Sequence, residues 1–407
     1  MAGPLQDIRV LDLSRILAGP WAGQLFADLG AEVIKVERPG KGDDTRGWGP
    51  PWVKDRAGRD SGEAAYFLCA NRGKKSITID IARPQGQQLV RELAAASDVL
   101  LENYKVGDLA RYRLGYDDLR ALNPRIVYCS ITGFGQTGPY RERAGYDFMI
   151  QGMGGLMSIT GERDDAPGGG PQKAGVAIAD LMTGMYATVA VLSALWERNS
   201  SGAGQHIDMA LLDTQVGWLA NQNLNFLVSG EPPRRMGNAH PNITPYQTFA
   251  TADGYMILAV GNDAQFARFC EAAGIGATAA DPRFKDNAAR VANREALEQV
   301  IAPAVKQRTT AQWIATLEPL GVPCGPINRL DQVFDDPQVK HRGMRFDLPH
   351  PLAGSVPQVA NPIRFSRTPV SYDRAPPLLG EHTEEILRGL LGKTDADIAR
   401  LRAAKIV

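Results

Sequence analysis

Residues 8–37, IRVLDLSRILAGPWAGQLFADLGAEVIKVE, decide the fold class. The apolar run IRVLDL has the length of a strand. It is followed by a turn at Gly19 and Pro20, an apolar helical stretch that ends at Gly30, and a second strand, EVIKVE, from Glu32. This is a β-α-β unit. The same alternation continues with a strand over 76–81, a helix over 85–96 and strands over 98–101 and 125–131. Strands that alternate with helices predict a mostly parallel sheet covered on both faces, an α/β, Rossmann-like large domain.

The chain has 407 residues, 44% of them apolar and 22% charged, enough for one large domain and a smaller one. The character changes near Gly230, where EPPRRMGNAHPNITP concentrates proline. The following block, YQTFATADGYMILAV, reads as a hairpin turning at Asp253-Gly254. The predicted division is 1–225 for the first part of the large domain, 226–330 for a small α+β domain, and 331–407 for a linker and C-terminal segment returning to the large domain. The Gly- and Asp-rich patch over 161–170 reads as a loop.

Lys plus Arg and Asp plus Glu both number 45, so no overall positive field draws the chain to nucleic acid or to an anionic membrane. A small-molecule partner is expected. The four cysteines are scattered without the spacing of a disulfide framework or a zinc site, which fits a reducing cytoplasm. The N-terminus lacks a signal-peptide pattern, and no run of about 18 apolar residues is apparent, so no membrane association is expected.

The first β-α turn, LSRILAGPW, lacks the glycine pattern that admits a dinucleotide pyrophosphate, which disfavours a nicotinamide or flavin cofactor. A helix start at the carboxyl end of a parallel strand still suits a phosphate-bearing ligand. Arg38 after VIKVE, and Arg72, Lys74 and Lys75 before SITID, would suit a phosphorylated nucleotide, although lysines in such a run ordinarily lie solvated. Asp180 stands where an apolar approach meets a long helix over 180–199. The plain reading makes it the N-cap; the functional one makes it a poorly solvated carboxylate nucleophile. Tyr146 reads as a core tyrosine and His240 as a loop histidine. No ligand-spaced partner accompanies His240, so no metal site is expected. Ser14, Ser130 and Ser158 lie outside any G-x-S-x-G elbow.

Eight ordered strings together resemble the family III CoA-transferases: VLDLSRILAGP, ADLGAEVIKVERPG, NRGKKSITIDI, ENYKVG, GYDF, AIADLMTGMYA, GVPCGPI and PPLLGEHT. The resemblance covers essentially the whole chain. It implies coenzyme A or acyl-CoA as a substrate, with no permanently bound cofactor, and a small carboxylic acid as the other partner. It also implies an interlocked homodimer. By the same resemblance Asp180 is the nucleophile and Tyr146 its neighbour in the active site. CoA contacts fall at Ile16, Leu17, Ala18, Arg38, Asn71, Lys75, Asn103, Tyr104 and Arg111. The racemase branch has histidine where this chain has Tyr146, which makes racemisation the weaker alternative; a non-catalytic CoA-binding subunit is another. The glycine-run loop of formyl-CoA transferase is missing from GNAHPNITPY. The overall look is closest to the branch that uses succinyl-CoA with glutarate-like dicarboxylates, with Arg15, Arg234 or His240 as holders of a substrate carboxylate.

Overall fold

In the computed structural model, which describes residues 3–407, six short strands pair in parallel: β1 (Arg9–Asp12), β2 (Glu32–Glu37), β3 (Lys74–Thr78), β4 (Val99–Glu102), β5 (Val127–Thr132) and β6 (His206–Ala210). Their order across the sheet is 3-2-1-4-5-6. That order reverses direction between β1 and β4, and in open parallel sheets the crevice outside the strand ends at such a reversal is where ligands bind.

The alternation of side chains sorts the strands' apolar residues onto two faces. Leu11, Ile34, Ile77 and Leu100 face one core, covered by α2 (Pro84–Ala95) and by two helices near the C-terminus, Thr383–Gly389 and Asp395–Ala403. Val10, Val33, Val99 and Val127 face the other, covered by α1 (Ala18–Asp28) and by a long helix, α4 (Ile178–Ser201). Between them in sequence, α3 (Asp147–Met153) follows β5. Gly184 lets α4 approach α1 closely, because a Cβ there would lie 2.6 Å from the Ala18 carbonyl oxygen. The start of α4 is thereby set beside the start of α1.

The strand expected over 76–81 is β3, displaced toward the N-terminus. It begins with Lys74, which is fully buried and neutralised by a distant acid, a pairing that local polarity does not announce. By length and composition α4 alone among the described residues could cross a membrane; nearly half of its apolar stretch is buried inside this fold, with Ala187, Val191, Ala194 and Leu195 packed in the core.

The chain forms two compact units. The first takes the chain up to Leu156, Ala174–Leu224 and Pro337–Val407; the second takes Met157–Lys173 and Asn225–Asp336. The predicted loop over 161–170 thus belongs to the second unit. That unit holds an antiparallel sheet of Tyr246–Ala250, Tyr255–Ala259 and Cys324–Pro326, whose hairpin closes through Thr251 N–H donating to the Gly254 carbonyl. Phe249, Met256, Phe269 and Trp313 form its core.

Candidate active site

The loops after β1 and β4 meet over the reversal point and enclose a cavity of about 310 Å3. Arg15, Ile16, Leu17, Ala18, Asn103, Tyr104, Tyr146 and Asp180 all line it. A second cavity of about 460 Å3, lined by Arg38 and Arg111, shares Arg15, Tyr104 and Asp108 with the first. The two therefore adjoin. Sequence reasoning missed the rest of the first lining, notably Lys105, Arg141 and Arg143.

A buried ionic layer shapes the loop after β1. Lys35 donates to the Ser14 carbonyl at 2.8 Å and pairs with Asp43 at 2.9 Å, both side chains being fully buried. The Asp43 carboxylate in turn accepts the Ile16 amide and the Thr45 amide. Burial works against Asp43's charge, but the Lys35 ammonium and the hydrogen bonds outweigh it and hold the carboxyl at about 2. Ile16 is clamped at φ 73°, a left-handed conformation that a β-branched residue adopts only when its surroundings impose it. A neighbouring pair, Lys74 with Asp12 at 2.9 Å, lies beneath the same loop, and Asp12 accepts from the Ser14 amide and hydroxyl.

The loop after β4 is fixed by Glu102, which accepts the Tyr104 amide at 2.8 Å and whose carboxyl burial raises to about 7. Asn103 then bridges the two loops: its Oδ1 accepts the Arg15 amide at 2.8 Å and its Nδ2 donates to the Arg15 carbonyl at 2.7 Å. The amide expected to touch ligand is engaged with backbone instead, so Asn103 positions the loop. Asn103→Asp replaces the donor with a carboxylate facing a carbonyl. For the CoA binding that the resemblance implies, we expect a roughly ten-fold weakening, an effect of about 1–2 kcal/mol, measured by calorimetric titration; wild-type affinity would contradict this.

Asp180 is the third residue of α4, and the N-cap position is Ala177. The expectation that Asp180 caps the helix is corrected by the residue that does so. Asp147 Oδ1 accepts the Ala179 amide at 2.8 Å and the Asp180 amide at 3.3 Å, while its Oδ2 accepts from Gln151 at 2.6 Å. The Ile178 amide goes to the Val176 carbonyl. Every amide of the first turn is engaged, so the start of α4 offers no ready oxyanion donors. Among the described residues the Asp180 carboxylate itself accepts no hydrogen bond. Burial pushes its carboxyl up to about 7, and the Asp147 charge adds to the rise. Tyr146, exposed at the N-cap position of α3, shares the cavity. Its loop is seated by glycine: a Cβ on Gly145 would lie 2.2 Å from the Gly133 Cα.

Two expected CoA contacts are not brought to either cavity. Asn71 is fully buried, donating to the Phe67 carbonyl and accepting from Lys74. Lys75 is held at 2.7 Å by both Glu32 and Glu385. Arg72 is likewise paired with Asp28, so the basic run 72–75 is neutralised by acids distant in sequence. Arg111 lines the second cavity but pairs with Asp108, whereas Arg38 has no acidic partner among the described residues. Ile16's amide is taken by Asp43; Leu17 and Ala18, at the uncapped start of α1, remain on the cavity wall. His240 and Arg234 belong to the second unit, where the His240 ring accepts the Asn242 amide and packs edge-on to Tyr246.

The model of CoA-transferase family III matches residues 5–383. The chain belongs to CoA-transferase family III. Among its relatives in the family, the succinate–glutarate CoA-transferase of Agrobacterium fabrum is 53% identical, covering 95% of this chain and 96% of that one. The human succinyl-CoA:glutarate CoA-transferase is 43% identical over 99% of this chain and 90% of its own. A crystal structure of a CAIB/BAIF family protein from Brucella suis superposes with a TM-score of 0.84 at 53% identity, covering 96% of this chain and 100% of that chain.

Proposed function

We propose that this family III CoA-transferase moves CoA from succinyl-CoA to a glutarate-like dicarboxylate, with Asp180 as covalent nucleophile. The observation that carries the reading is the Asp180 carboxylate: it faces the cavity at the sheet's reversal point, poorly solvated and without a hydrogen-bond partner. A carboxylate in that condition is a stronger nucleophile than a solvated one.

The steps balance without redox chemistry or net proton transfer. Asp180 attacks the donor thioester carbonyl, the C–S bond breaks, and a mixed anhydride forms with release of CoA thiolate. The thiolate attacks Asp180 Cγ, the anhydride C–O bond breaks, and succinate leaves. The acceptor carboxylate attacks the aspartyl-CoA thioester and expels thiolate, giving a second anhydride. The thiolate then attacks the acceptor's acyl carbon and frees Asp180. Holding CoA by its nucleotide throughout keeps the thiolate beside the anhydride. Arg38, in the adjoining cavity, supports a place there for the nucleotide phosphates. Tyr146 and the amides at Leu17 and Ala18, on the wall of the same cavity, serve as donors for the developing oxyanions. CoA enters as substrate, and no permanently bound cofactor is invoked.

The proposal includes a homodimer in the cytoplasm. Met185, Tyr186, Val189 and Trp196 form an exposed apolar stripe at helical spacing on α4, suited to a second copy of the chain. All four cysteines are free, as suits a reducing compartment.

Two measurements test the reading. Succinyl-CoA and glutarate should yield glutaryl-CoA and succinate in equal amounts, with no exchange of the α-proton into deuterated buffer; exchange without transfer would establish the racemase alternative. Because Asp180 must be ionised, kcat/KM for the donor should fall as pH drops through about 7. Asp147→Asn keeps an acceptor for the α4 amides but removes the charge, so the acid limb should move to lower pH. An unmoved limb would remove Asp147 from this role.

A further inference from the structure

We infer that Arg143 binds the distal carboxylate of the acyl group and so selects dicarboxylates, an inference that rests on the CoA-transfer reading of the cavity. The wall around Asp180 carries four cations, Arg15, Lys105, Arg141 and Arg143. Arg15 pairs with Asp44 at 2.9 Å and Arg141 with Glu142 at 3.2 Å. Arg143 has no acidic partner among the described residues. Its guanidinium is 4.6 Å from the ring centre of Tyr140 and 5.3 Å from that of Phe134, and its polar contact within the protein is the Met153 sulfur at 4.0 Å. Two aromatic rings thus orient an exposed planar charge whose other guanidinium donors have no partner among the described residues, whereas Lys105, also exposed, has no such support.

A guanidinium fork held in this way matches the two oxygens of a carboxylate. A dicarboxylate brings a second negative charge into the cavity that already holds the Asp180 carboxylate, and a fixed cation there offsets the repulsion. Arg143 also stands three residues before Tyr146, on the loop seated by the Gly133–Gly145 contact, so the charge reader and the reaction centre share one support. Succinyl-CoA and glutarate react in turn at one nucleophile, so one cation would read both. A CoA phosphate offers similar oxygens, and the test separates the two sources.

Arg143→Met and Arg143→Lys are compared with wild type in steady-state kinetics, together with the Kd for CoA. In Arg143→Met the KM values for glutarate and for succinyl-CoA should both rise about 30-fold, the scale of one lost charge-assisted pair. Arg143→Lys should recover part of the loss. The KM for butyrate as acceptor should stay within about two-fold, as should the Kd for CoA, since neither uses the distal charge. A weakened Kd for CoA, with KM for glutarate and butyrate rising together, would place Arg143 on a phosphate and overturn the inference. Unchanged KM for glutarate would also overturn it. If wild type transfers no CoA at all, the underlying reading falls, and the inference with it.

Discussion

Asp180→Asn should lower CoA transfer by at least about 10³-fold, the scale on which covalent nucleophiles are lost, while CoA still binds. The substitution is clean because Asp180 caps nothing. The α4 amides are held by Asp147, and the Asp180 carboxylate has no partner to leave behind. The folded protein should also become more stable at neutral pH. Asp180 binds its proton more tightly folded, at about 7, than unfolded, at 3.8, so its ionisation opposes folding increasingly as pH rises through that interval. Removing the charge should add about 2 kcal/mol at pH 8 after allowance for its partial exposure. Denaturant titration at pH 5 and pH 8 would read this: a stability gain at pH 8 that shrinks at pH 5 is expected. An equal loss at both would mean that Asp180 is structural.

Lys35→Met should cost about 3–5 kcal/mol, the penalty for stranding a buried partner charge. Asp43 would lose the ammonium that keeps it ionised, and the Ser14 carbonyl would lose its donor. The left-handed turn at Ile16 would lose its anchor, so CoA affinity should fall along with stability. The pH dependence has the opposite sign to that of Asp180. Asp43's carboxyl lies at about 2 folded against 3.8 unfolded, so its contribution is present above about pH 4 and disappears as pH falls toward 2. Thermal unfolding and CoA titration of the variant check both effects. Full stability with full CoA affinity would refute the role assigned to this ionic layer.

The sheet was legible because its evidence is local. Periodicity in IRVLDL and EVIKVE, and the turn residues Asp253-Gly254, depend on neighbours a few positions away. The same locality explains what was hidden. Lys35 in EVIKVE looks like an outward polar residue of an alternating strand, but both faces of this parallel sheet are covered, and the charge is neutralised by Asp43 in the next loop. The run Arg72 to Lys75 looked like a phosphate cradle; its partners, Asp28, Asp12, Glu32 and Glu385, come from separate elements. Asp180 stood out through its apolar flanks, yet Asp147, which caps its helix, lies far off in sequence and carried no local mark of that role. Arg143 was hidden for a similar reason. In RERAGYD it is one charge among several, and only the rings of Phe134 and Tyr140 set it apart.

The measurement closest to the central claim is chemical trapping of the enzyme during turnover. The protein is incubated with succinyl-CoA alone, quenched with hydroxylamine, and mapped by peptide mass spectrometry. The structure predicts an aspartyl hydroxamate on the peptide that contains Asp180, diminished when glutarate is present to draw off the CoA and absent in Asp180→Asn. A hydroxamate on another residue, or full transfer activity with Asp180 never modified, would contradict it.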